Sequence, residues 1–158
     1  MSSIIYRHAI PTEIISDVVK LSYYGDPVAR QSPRFFTYRG KSMIIDPQSQ
    51  ELLSYKSNTI KQLPSNYILW KRPTAVIVFI NCFFKIPYSW SNKKKRLALG
   101  GMVAYTKVPD CDNIAKFFMD VIKGIIFEDD AQVIGMLVYK SYSDSPRVEI
   151  SMQRISAV

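Results

Sequence analysis

Asp110 and Asp112, one residue apart, and Glu128-Asp129-Asp130, a short way downstream, carry the most chemistry in this chain. If residues 109–111 are extended, side chains alternate and the first two aspartates point to one side. Carboxylates held that close repel unless a cation lies between them. A hard divalent ion such as magnesium takes oxygen ligands and meets the need. A metal held by two or three aspartates, with water completing its shell, activates water against a phosphodiester. Lys116 and Asp120 follow Asp112 at positions i+4 and i+8, so on a helix the three share one face. A lysine one turn from such a metal can offset the charge that grows on a phosphate in the transition state. The same residues have plainer readings. Asp110 or Asp112 can cap a helix, Asp112 and Lys116 can form an exposed ion pair of little weight, and residues 128–130 can be a solvated loop.

Other chemistries have less material. The single histidine, His8, leaves little for a His-based zinc site or a Ser-His-Asp triad. Cys82 and Cys111 lie in or beside apolar runs, and nothing suggests a disulfide framework. The net charge of +8 favours a polyanionic partner, because Lys and Arg displace counterions from phosphate. The longest apolar run, residues 75–84, is broken by Asn81 and too short to span a bilayer. The N-terminus lacks the apolar stretch of a secretory signal. The chain reads as soluble and cytoplasmic, with no membrane partner.

These residues need elements to position them. Residues 1–17 show no clear pattern and are set aside as an N-terminal arm, leaving 18–158 as one domain. Residues 18–24 are β-branched and aromatic and end at Gly25-Asp26-Pro27, which predicts a first strand. Residues 35–38 and 42–45 flank Arg39-Gly40-Lys41 and predict a hairpin with a basic tip. Asp46-Pro47 resembles a helix start, Asp as cap and Pro in the first turn, and the helix ends before Pro64. The run 75–84 predicts a central strand buried on both faces. Residues 88–107 contain Lys93-Lys94-Lys95-Arg96 and Gly100-Gly101 with no acidic residue, which predicts a mobile basic loop. Residues 112–123 predict a helix whose apolar side is Ile114, Phe117, Phe118, Val121 and Ile122, with Gly124 placed to stop it. A short turn or helix at 129–133 and two strands, 134–142 and 147–152, complete the order. The expected class is mixed α/β (α+β): one domain, one mixed sheet, helices packed on one side.

Taken together, the two acidic stretches resemble the RusA family of Holliday junction resolvases of bacteria and their phages. That family carries Asp-x-Asp-Asn-x-x-Lys, then a helix containing an Asp, then Asp-Asp-x-Gln before a strand. The matching positions here are Asp110, Asp112, Asn113, Lys116, Asp120, Asp129, Asp130 and Gln132. The resemblance implies metal ligation by Asp110, Asp112 and Asp130, a catalytic role for Lys116, and supporting roles for Asn113, Asp120 and Asp129. It implies magnesium as cofactor, with manganese as substitute. It also implies a homodimer that binds four-way DNA junctions and nicks two strands of like polarity. The match is closest over 109–152. Nearer the N-terminus many relatives have Gly-x-Pro and then Arg-Pro-Arg, where this chain has Gly25-Asp26-Pro27 and Ser32-Pro33-Arg34, with Arg30 nearby. Cys111 stands where relatives often carry Leu or Ile, so a small apolar role is expected of it.

DNA contact is expected from Arg30, Arg34, Arg39 and Lys41 around the hairpin, from Lys93, Lys94, Lys95 and Arg96, and from Lys107 just before the aspartates. Tyr88, Trp90 and Tyr105 can stack on unpaired bases or pack in a core. Two other functions fit the same residues less fully. A non-catalytic nucleic-acid-binding protein has no use for a set of aspartates at a phosphate-binding face, and a metal-dependent nucleotide phosphohydrolase would want a Gly-rich phosphate cradle.

Overall fold

The computed structural model describes residues 18–155, so the expected N-terminal arm lies outside the described residues. The core of the fold is a four-stranded sheet in the order β1-β6-β4-β5. Its strands are β1 (Val18–Tyr24), β4 (Ala75–Lys85), β5 (Val133–Ser143) and β6 (Arg147–Ile155). β6 pairs antiparallel with both β1 and β4, and β4 pairs parallel with β5, so the sheet is mixed. The parallel pair requires a long crossover, and residues between β4 and β5 supply it with two helices, α2 (Asn92–Leu99) and α3 (Cys111–Ile122). A third helix, α1 (Ser49–Gln62), precedes β4, giving the expected mixed single domain.

β5 and β6 follow each other in sequence across residues 144–146, yet they do not pair. The connection steps over the end of β4, which lies between them. Ser145 N–H donates to the Ser143 hydroxyl (3.1 Å), Arg147 reaches the Ser145 carbonyl (3.0 Å), and the Pro146 carbonyl accepts from Gly25 N–H (3.0 Å).

α3 is the helix that the apolar spacing predicts. Ile114, Phe117, Phe118, Val121 and Ile122 are all buried, and Gly124, at φ 76°, follows its C-terminus in the left-handed region that glycine enters at least cost. This face packs with Val76, Val78, Ile80, Val148, Ile150 and Met152 of the sheet. α1 closes the core beside it. The Tyr55 ring lies 5.2 Å from that of Phe117 and 5.3 Å from that of Tyr23. Buried Tyr23 pairs its hydroxyl with Thr59 at 2.7 Å, and burial pushes its pKa up to about 12.

Four expectations need correction. β4 is not buried on both faces. Val76, Val78, Ile80, Cys82 and Phe84 face the helices, while Phe79 is exposed on the other side, because no helix among the described residues covers that face. The hairpin forms as β2 (Arg34–Tyr38) and β3 (Lys41–Ile45), but as a separate two-stranded sheet with every residue exposed. Arg39 (φ 49°) and Gly40 (φ 74°) make its two-residue turn, both in the left-handed region that such turns require. Gln48, not Asp46, stands at the N-cap position of α1, but its side chain makes no capping hydrogen bond, and the Asp46 carboxylate accepts from Gln48 N–H at 3.0 Å. The predicted basic loop at 88–107 contains α2: the Ser91 hydroxyl accepts from Lys94 N–H at its start and Gly100 ends it. Lysine is a good helix former, and only Ala98 of this helix is buried, so the segment lacks the apolar stripe that reveals a helix in sequence.

Because α3 seals the core, Phe118→Ala should lower unfolding free energy by about 3–5 kcal/mol in a urea titration, the usual cost of emptying a phenylalanine site.

Candidate active site

Asp110 is the N-cap of α3, with extended backbone (φ −75°, ψ 150°), and its carboxylate makes no capping hydrogen bond. Cys111 is already helical and exposed, in place of the apolar role expected of it. The extended segment expected over residues 109–111 thus stops at Asp110, and the first helical turn, not strand alternation, relates Asp110 to Asp112. Both aspartates are exposed at a helix N-terminus, where the macrodipole favours negative charge. Lys116 donates from Nζ to Asp112 Oδ2 at 3.3 Å, with both side chains about two-thirds exposed (64% and 65%). Such a pair is weak, so Lys116 can exchange it for a phosphate at little cost.

The loop leading into Asp110 is clamped by a residue that the sequence left unmarked. Lys140, on β5, donates to the carbonyls of Lys107 (2.8 Å) and Pro109 (2.9 Å) and lies 5.3 Å from the centre of the Tyr105 ring. Tyr105 donates to the Val108 carbonyl (3.0 Å) and stacks on Phe84 at 3.9 Å. Its ring is therefore committed to packing, as is Trp90 against Tyr142 at 4.8 Å. Tyr88 is almost wholly exposed. The signal for Lys140 was a lone cation among apolar and aromatic strand residues.

In the second acidic stretch, adjacent residues have divided roles. Asp129 caps the 3-10 turn Asp130–Gln132: its carboxylate accepts from Ala131 N–H, and Gln132 Oε1 accepts from Asp129 N–H (both 2.9 Å), a reciprocal capping box. Buried Gln132 also donates to the carbonyls of Trp70 and Thr74. Arg72 pairs with Asp129 at 3.1 Å, and Glu128 accepts from Arg72 N–H at 3.3 Å. The Ala131 N–H, with the further hydrogen bonding and cations around it, holds the Asp129 carboxyl below its ordinary range. Asp130 has no such backbone duty. It is exposed and accepts from Lys123 Nζ at 3.0 Å, and this hydrogen bond raises the Lys123 pKa.

Arg30 separates the two groups. Its Nη1 and Nη2 donate to the two oxygens of Asp46 (3.2 and 2.7 Å), its Nε lies 3.2 Å from Asp120 Oδ2, and its backbone N–H donates to the Asn113 carbonyl (2.8 Å). It lines a cleft of about 790 Å³ with Lys116, Asp120 and Asp130, and a second of about 480 Å³ with Asp110 and Asn113. Its guanidinium is thus engaged inside the fold, not presented to DNA as expected. The Arg30 hydrogen bonds, followed by that from Gln48 N–H, hold the Asp46 carboxyl below its ordinary range. A depressed carboxylate contributes stability that is complete above its unfolded pKa and is lost as pH falls through the folded value. Acid therefore weakens this contact.

The exposed carboxylates offer oxygen only, the donor that a hard divalent cation takes. Among the described residues, however, no three His, Cys, Asp or Glu side chains stand close enough together to hold a metal ion. Asp110 and Asp112 share a helix start, while Asp130 is held by Lys123 across the larger cleft. Metal ligation by all three would require Asp130 to give up or share that partner.

The remaining cations expected to meet DNA lie on the hairpin, on α2 and on the loop before α3. Arg34, Arg39 and Lys41 are exposed on the hairpin. Lys93 and Arg96 are exposed on α2, where Lys94 lies 4.0 Å from the centre of the Trp90 ring and Lys95 4.9 Å from that of Tyr88. Lys107 is exposed just before Asp110. Among the described residues no helix is long and apolar enough to cross a membrane.

A sequence profile of the family described as endodeoxyribonuclease RusA matches residues 24–153. An uncharacterized protein of Bacillus subtilis strain 168, YqaN, is 34% identical over 148 residues, spanning 89% of this chain and 99% of that one.

The split between neighbouring aspartates is open to a direct check. Asp129→Ala should lower the melting temperature by several degrees, because it removes a cap and an Arg72 pair. Asp130→Ala should leave it nearly unchanged, since an exposed ion pair contributes little.

Proposed function

The chain belongs to the RusA endodeoxyribonuclease family, and on that footing we propose that it is a magnesium-dependent endonuclease that resolves four-way DNA junctions. The observation that carries this reading is the start of α3, where Asp110 and Asp112 are exposed, Asp110 is free of capping, and Lys116 lies one turn on. Asp110, Asp112 and Asp130 would hold the metal, which when bound activates water and screens the phosphate charge. Manganese would substitute through the same oxygen ligands.

The chain's own residues do the rest. The positive end of the α3 dipole offsets part of the repulsion between Asp110 and Asp112. Lys116 leaves Asp112 to meet the non-bridging oxygens as negative charge grows on them. Lys140 fixes the backbone on which Asp110 stands, and Asn113 fixes Arg30 through its carbonyl. Arg34, Arg39, Lys41, Lys93, Lys94, Lys95, Arg96 and Lys107 draw the DNA backbone towards these carboxylates and offset their repulsion of phosphate. A nuclease of this design works where DNA and recombination enzymes are found, in the cytoplasm of a bacterial or phage-infected cell.

The active unit proposed is a two-fold homodimer, which matches the pseudo-two-fold symmetry of an open junction and places one site on each of two strands. The hairpin supports this. Phe35, Phe36, Met43, Ile44 and Ile45 are all exposed, on both faces of a ribbon that pairs with no other strand among the described residues. An isolated two-stranded ribbon is marginal in water. The aliphatic residues have no flat face to stack on a base, so a second copy of the chain is the occupant that suits them.

With magnesium, the protein should nick a synthetic four-way junction at paired positions. Asp110→Asn and Asp112→Asn should abolish nicking, and Lys116→Ala should lose cleavage far more than junction binding. Activity retained by both Asp→Asn variants would remove the proposed site. Equal nicking of linear duplex would remove junction selectivity. Separately, the double variant Phe35→Ser, Ile44→Ser should sediment as a monomer where the parent sediments as a dimer.

A further inference from the structure

We propose that Arg30 is a positioning residue that fixes the basic hairpin relative to the catalytic helix and so selects which phosphate is nicked. The proposal rests on the nuclease reading above. It starts from the connections of one guanidinium. Asp46 follows directly on β3, and residues 31–33 lead directly into β2, so Asp46 and Arg30 stand at the two roots of the hairpin. Arg30 grips Asp46 with two parallel hydrogen bonds, the geometry that gives a guanidinium–carboxylate pair its orientation. Its third nitrogen faces Asp120, two turns along α3 from Asp112, and its backbone N–H is bound to Asn113 on the first turn of that helix. Gln48 completes the junction, accepting from Gln31 N–H (2.6 Å) and donating to the Ala29 carbonyl (3.0 Å).

Few other contacts could set the angle of the arm. Among the described residues the hairpin belongs to no larger sheet, and all ten of its strand residues are exposed. Its attitude towards α3 is therefore decided at its roots. The Arg30 side chain is about four-fifths shielded (22% exposed), so the grip is partly removed from water and salt. Lysine could not replace it, since a single ammonium on a flexible stem cannot hold two carboxylates in fixed directions. Arg34, Arg39 and Lys41 ride on the arm, while Asp112 and Lys116 ride on the helix. A rotation at the joint displaces every phosphate bound by the arm relative to the residues that act on it. A misplacement of about 1 Å in a reacting group can cost on the order of 100-fold in rate.

Two measurements test this on the full-length protein. The first maps nick positions on an end-labelled junction for the parent, Arg30→Gln, Arg30→Lys and Asp120→Asn. The expected result is a shifted or broadened set of nicks and turnover lowered by about 100-fold in Arg30→Gln, with junction affinity nearly unchanged. Arg30→Lys should restore the nick positions poorly, and Asp120→Asn, which keeps an acceptor for Arg30, should largely retain them. Parental nick positions in Arg30→Gln would overturn the proposal, as would an equal fall in binding and turnover, which marks an ordinary phosphate contact. The second measurement does not need cleavage. Spin labels on native, exposed Cys111 and on Ser42→Cys report the distance from hairpin to helix. The distribution should be narrow in the parent background and broad when Arg30→Gln is added. Equal widths overturn the joint even if the protein cuts nothing, whereas a broadened distribution with no cleavage by the parent faults the nuclease reading alone.

Discussion

Burial of one face of α3 is the constraint on which the rest depends. Five side chains, Ile114, Phe117, Phe118, Val121 and Ile122, are withdrawn from water against the sheet and α1. Their hydrophobic transfer fixes the rotation of the helix about its own axis. Once that rotation is set, Asp112, Lys116 and Asp120 emerge on the outer side. The chemistry of the surface is thus determined by packing on the opposite face, and polar residues with weak contacts of their own are held in place by apolar residues that never touch a ligand.

Around that helix the sheet and loops act as fixtures. Lys140 holds the approach to Asp110 from β5, Gln132 pins the second acidic stretch to the chain before β4, and Arg30 ties the hairpin roots to the outer face of α3. Each of these groups satisfies backbone carbonyls or carboxylates that would otherwise be left unpaired near the core. Asp110, by contrast, stands where a cap is expected and does not cap, and Asp112, Lys116 and Asp130 make only exposed ion pairs. Contacts are many in the supports and few in the reactive groups.

How much of this was legible in the sequence depends on the range of the signal. α3 was plain, because an apolar face repeating every three to four residues is a local pattern. So were β1 and the hairpin, announced by β-branched runs and by Arg39-Gly40. α2 was not, since its lysines give no apolar stripe. The open face of β4 was not either, because an unbroken apolar run looks the same whether one face or two are covered. In the site, the Asp110, Asp112 and Lys116 group was visible from spacing. The separation of Asp129 from Asp130 was invisible, since two identical residue types differ only in which backbone N–H each meets. The role of Arg30 was hidden for another reason: its partners Asp46 and Asp120 are far from it in sequence and become neighbours only when the fold closes.

The turn over the end of β4 bears on how this protein is made. Among the described residues β1 has one partner strand, β6, and β6 is the last strand. During synthesis β1 therefore leaves the ribosome before its partner exists, and it waits while the hairpin, α1, α2, α3, β4 and β5 emerge. Only when residues 147–155 are released can β6 slide in between β1 and β4 and close the sheet. Loop closure of that length is slow to form, so the nascent protein passes through a stage in which Leu21 and Tyr23 have no sheet to bury them. A chaperone that shields β1 would act on this interval, before residues 147–155 are released, and not on any later step.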